Sequence, residues 1–123
     1  MIQSKFNNEL GVLEVIYSGA IFLEELLQHG NNIANNFSLP RKLNILTDAR
    51  EAVYKFGPEK INQIIDALKE NLEDYALVKN AFIYSTPNET AYSVYLESEK
   101  EPDHYEHGVF STREDALYWL IGK

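Results

Sequence analysis

The chain has 123 residues, 45% of them hydrophobic and 24% charged, a balance that suits one globular domain with its own apolar core. Nineteen acidic against eleven basic residues leave a formal charge of −8, with no basic stripe, which argues against nucleic acid and anionic membranes as partners. The absence of cysteine excludes disulfides, thiol nucleophiles and cysteine-based metal clusters.

Ile2, Ser4 and Phe6 alternate with Gln3 and Lys5, as in a half-buried strand and unlike an apolar leader. No stretch reaches the roughly 20 apolar residues of a membrane span, so a cytoplasmic protein is expected. Turn chemistry over 7–11 leads into a second strand over 12–17, and Ser18-Gly19 is expected to end this hairpin. The period then changes. Leu23, Leu26, Leu27, Ile33, Ala34 and Phe37 form one apolar stripe on a helix over 22–36, weakened in its middle by Gly30. Ser38-Leu39-Pro40-Arg41 turns the chain back into the short apolar run 43–50, Leu43-Asn44-Ile45-Leu46-Thr47-Asp48-Ala49-Arg50. This run reads as the inner strand of a sheet, with its polar Asp48/Arg50 end facing a loop. The carboxyl ends of such strands are where α/β folds usually meet ligands and partners.

Residues 51–57 read as a loop or short helical turn carrying Tyr54 and Phe56. Pro58 then suits a first helical position, and Ile61, Ile64, Ile65, Leu68 and Leu72 mark the clearest helix of the chain. Residues 81–85 form another short strand. Thr86-Pro87-Asn88-Glu89 is a capping box opening a helix with Ala91, Val94 and Tyr95, which ends before Pro102. A last strand over 105–110 meets a second capping box, Ser111-Thr112-Arg113-Glu114. The final helix that follows carries Ala116, Leu117, Trp119, Leu120 and Ile121. The predicted architecture is a single α/β domain over 1–123 with order ββαβαβαβα. It has an N-terminal antiparallel hairpin, then mostly parallel strands, and about four helices.

With those elements placed, the chain resembles the SpoIIAA-like, or STAS-like, family. The carrying residues are Ser18-Gly19, the run Leu43 to Arg50 with its Asp-x-Arg, and the close Val109-Phe110-Ser111-Thr112-Arg113-Glu114-Asp115-Ala116-Leu117-Tyr118-Trp119-Leu120. The family is related in fold to bacterial anti-sigma-factor antagonists and to CRAL-TRIO lipid-binding domains. The resemblance implies a four- or five-stranded mixed sheet with helices chiefly on one face, and a binding or regulatory role without catalysis. Anti-sigma-factor antagonists carry a phosphorylatable serine just after an Asp at the end of the inner strand. Here that neighbourhood is Asp48-Ala49-Arg50-Glu51, with no hydroxyl, so no phosphate switch is expected there.

Asp48 and Arg50 suit either a polar ligand or partner loop, or simply each other as an ion pair. His104 and His107 have helical spacing but sit where a loop enters a strand, with no third ligand nearby, so no metal is expected. Ser85, Thr86, Ser111 and Thr112 lack an activating base or a G-x-S-x-G elbow, and capping accounts for Thr86 and Ser111. The glycines are isolated, so no phosphate cradle and no cofactor are implied. Tyr92 and Tyr95 share a short helix with Val94 and Leu96, which offers an exposed patch, a lid over an apolar pocket or a homodimer contact. Tyr54 and Phe56 are placed on the same rim. Two functions stay open: a protein partner engaged through the strand-end loops and the Tyr92/Tyr95 helix, or a small hydrophobic, lipid-like ligand held beneath that helix.

Overall fold

Strict alternation of inward and outward side chains builds a sheet of five strands in which each strand lies beside its neighbour in sequence. The computed structural model describes residues 1–85 and 104–123. β1 (Ile2–Asn7) and β2 (Val12–Ile21) form the expected antiparallel hairpin. From β2 onward all pairings are parallel, through β3 (Lys42–Tyr54) and β4 (Leu77–Ile83) to β5 (Tyr105–Phe110). Three α-helices lie among the described residues: α1 (Leu23–Ala34), α2 (Ile61–Asn71) and α3 (Arg113–Ile121). The helix expected after Thr86, with Tyr92 and Tyr95, lies outside the described residues. No helix among those described is long and apolar enough to cross a membrane.

The inner strand is where it was expected, but it is longer. β2 does not end at Ser18-Gly19, and residues 51–54 are strand, not loop, because the two segments pair with each other from Ser18↔Glu51 to Ile21↔Tyr54. Between Ile16↔Asp48 and Ser18↔Glu51 the register shifts, β3 spending one residue more than β2. Such a bulge lets a ladder continue past residues that read locally as punctuation. Gly19 holds φ +68° just beyond the shift, a conformation that a side chain would strain.

The two faces of the sheet carry separate cores. On one, Leu13, Val15, Tyr17, Leu43, Ile45, Val78 and Phe82 are buried beneath α1 and α2, which touch each other. On the other, Val12, Leu46, Ala81 and Ile83 pack against Ala116 and Leu120 of α3. Of the three described helices, two therefore lie on one face and α3 on the other. Each fully buried Leu, Ile or Val here contributes about 1.5–3 kcal/mol. Gly108 permits the close seating of α3, since a Cβ there would stand 2.8 Å from the Phe110 ring and 3.3 Å from Trp119.

Element ends also moved. The cap of α3 is Thr112, not Ser111: its Oγ1 accepts from the Asp115 N–H at 3.1 Å, and Thr112 alone of the pair stands at the start of the helix with extended backbone. Pro58 opens a short 3-10 turn, Pro58–Lys60, that runs into α2. α1 stops at Ala34, so Phe37 leaves the predicted apolar stripe and lies 75% exposed.

Candidate functional site: a cavity between the helices and the sheet

A cavity of about 120 Å³ lies between α1, α2 and the sheet. Its floor comes from the inward positions of four parallel strands: Tyr17 on β2, Ile45 on β3, Asn80 and Phe82 on β4, and Tyr105 and His107 on β5. Leu26, His29 and Ile33 of α1 and Ile64, Ala67 and Leu68 of α2 form the other wall. The helical stripes read from the sequence thus do two jobs. Ile65 is buried away from the cavity, whereas the buried Ile61 and Leu72 and the half-buried Ile64 and Leu68 line it.

The polar groups in this lining are few and largely paired with one another. The Thr47 hydroxyl, fully buried, donates to Asn80 Oδ1 at 2.9 Å. The Tyr105 hydroxyl lies 3.2 Å from His107 Nδ1, and the Tyr54 and Tyr84 hydroxyls stand 3.0 Å apart. Phe82 ties these groups together, stacked on Tyr84 at 5.7 Å and tilted against His107 at 4.6 Å. His29 presents its ring at right angles to Tyr17, with centroids 6.1 Å apart.

Burial decides the charge of this site. Desolvation pushes the His107 imidazole down to about 4, and lowers His29 as well, Glu25 only partly opposing it. Both rings are neutral at pH 7. Burial likewise holds the Tyr17 phenol well above its ordinary value. Around the cavity, among the described residues, there are phenols, amides and neutral imidazoles set in aliphatic and aromatic surface. Such a lining removes apolar surface from water and hydrogen-bonds one or two neutral groups, but it offers a charged ligand no counter-ion.

Of the candidate site residues singled out in the sequence, Tyr54, Phe56 and His107 line this cavity, the rings of Tyr54 and Phe56 5.6 Å apart. Asp48 and Arg50 lie elsewhere. Asp48 follows Leu46 in the alternation and belongs to the α3 side of the sheet, opposite Ile16. Arg50 grips it in a fork, Nε donating to Oδ1 at 2.9 Å and Nη2 to Oδ2 at 2.7 Å. This bond holds the Asp48 carboxyl below its usual range. The pair sits within β3, not at a strand end, because β3 continues to Tyr54. Beside it, Arg113 Nη1 lies 2.6 Å from Glu14 Oε1 and keeps that carboxyl low too. Tyr92 and Tyr95 fall outside the described residues.

The two histidines that suggested a metal part company. His104 Nε2 meets the Leu72 carbonyl at 2.9 Å, while His107 turns to Tyr105. Tyr17, His29, Asn80, Tyr84 and Tyr105 were not singled out from the sequence. The signal within reach was Asn80, a polar residue alternating with Val78 and Phe82 at inward positions. No family model, curated protein or solved structure matches the chain.

Proposed function

We propose that the chain is a non-enzymatic, STAS-like binding domain that carries or senses a small hydrophobic molecule between α1, α2 and the sheet. One observation carries this reading: a cavity of about 120 Å³, mostly apolar, in the larger of the two cores. Protein interiors are packed to crystal density, and voids beyond a few waters in size are uncommon. A dry apolar cavity of about 150 Å³ takes up benzene. Among the described residues its walls are α1 and α2, and the helix with Tyr92 and Tyr95 lies outside them. Toluene titrated into the protein and followed by amide NMR should give saturable shifts at Ile33, Ile45, Leu68 and Val78. Ala67→Phe, which fills the cavity from α2, should abolish them. Unchanged spectra, or shifts that survive the filling substitution, would sink the reading.

A second reading, a protein partner on the other side of the sheet, is favoured by Ile16, 48% exposed opposite Asp48 of the fork, and by Val53, 51% exposed further along β3. Ile16→Glu with unchanged folding but lost partner capture would support it, and equal capture would exclude it.

A further inference from the structure

The Tyr17 hydroxyl is the anomaly of this core. Tyr17 is 3% exposed and lines the cavity, yet among the described residues its hydroxyl has no hydrogen-bond partner. Buried phenols nearly always find one, as Tyr75 does by donating to the Ile33 carbonyl at 2.8 Å. Elsewhere on the floor, two strands from Tyr17, Asn80 has its Oδ1 engaged by Thr47, which leaves its amide N–H groups without a partner among the described residues. His29, on the opposite wall, also has no hydrogen-bond partner among the described residues. Three polar side chains around one small apolar space thus have unmet hydrogen-bonding capacity.

We propose that the Tyr17 hydroxyl reads an oxygen of a bound molecule, and that the ligand is an uncharged, ring-sized compound bearing a hydroxyl. This deepens the binding reading above and rests on it. A hydroxyl suits the site because it can both accept from the Tyr17 O–H and donate to its oxygen. A carboxylate does not, because both imidazoles here are neutral and no Lys or Arg lines the cavity among the described residues. Size makes the same selection. A space slightly smaller than a benzene-binding cavity is matched to one ring. Tyr17 supplies specificity and the aliphatic walls supply affinity.

The test uses four probes on the full chain by calorimetry: phenol, toluene, benzoate and decanoate. Phenol and toluene should saturate the protein, while benzoate and decanoate should not. Tyr17→Phe should weaken phenol roughly three- to tenfold, the worth of one neutral hydrogen bond, and leave toluene within about twofold. The same substitution should not lower the melting temperature, because it removes a buried hydroxyl that has no partner in the ligand-free protein. Phenol unaffected by Tyr17→Phe, or a clear loss of thermal stability in the ligand-free variant, would show the hydroxyl already satisfied by protein or water and overturn the assignment. Benzoate or decanoate binding as tightly as phenol would overturn the ligand class while leaving the cavity a binding site. Failure of both toluene and phenol would remove the binding reading itself, and this inference with it.

Discussion

His107 makes the buried site measurable through acid. Its imidazole is neutral in the fold down to about pH 4, whereas in the unfolded chain it takes a proton near 6.5. Between those values the unfolded state binds more protons, so stability is intact above about pH 6.5 and is lost as the pH falls towards 4. The full loss is about 3 kcal/mol, of which about 2 kcal/mol has gone by pH 5. Against the 5–15 kcal/mol that hold a typical domain together, that is readily seen by urea unfolding at pH 7 and pH 5. His29 is shifted in the same direction and adds to the same window. Asp48 and Glu14, held low by Arg50 and Arg113, contribute a loss of their own only below about pH 5, where the unfolded carboxyls take up protons. His107→Phe retains a ring against Phe82 and removes the titration. The pH 7-to-5 loss in this variant should therefore be smaller than in the parent by about 2 kcal/mol. Equal losses in the two proteins would refute the claim that His107 is buried in a dry wall.

Three further outcomes follow from the packing. Leu46→Ala, at a position 2% exposed beneath α3, should cost about 2–5 kcal/mol by denaturant melts, and a cost under 1 would mean that α3 does not seal this face. Thr112→Ala should cost about 1 kcal/mol while Ser111→Ala costs little, which reverses the order expected if Ser111 were the cap. Arg50→Ala should leave toluene affinity within about twofold, because the Asp48–Arg50 fork and the cavity lie on opposite sides of the sheet; a larger loss in an NMR titration would contradict that placement.

Periodicity made the frame readable. The apolar run from Leu43 gives the inner strand, the isoleucines from Ile61 give α2, and Tyr105–Phe110 has the limits expected of β5. What it missed depends on neighbours distant in sequence. Ser18-Gly19 and Glu51 look like strand ends, yet each segment continues because the other supplies its ladder partners. β4 begins at Leu77, ahead of the expected Ala81, since Lys79 and Asn80 are polar for reasons in three dimensions. Lys79 Nζ reaches the Trp119 carbonyl at 3.1 Å and lies over its ring, and Asn80 bonds Thr47. In the stretch Val109 to Leu120, Phe110 and Trp119 touch at 5.5 Å and Ala116 and Leu120 are buried, so packing accounts for these four of the residues that carried the family resemblance. The cavity is the least legible feature. An inward-facing Tyr17 gives the same local signal whether the space above it is full or empty, and the partner its hydroxyl lacks is a property of four strands and two helices together.

Xenon bears most directly on the empty space itself. Crystals of the protein equilibrated under xenon pressure should show an anomalous peak bounded by Ile33, Ile45, Leu68 and Val78, beside Tyr17. Crystals without xenon at that place, with the side chains of α1 and α2 closed onto Phe82, would contradict the account.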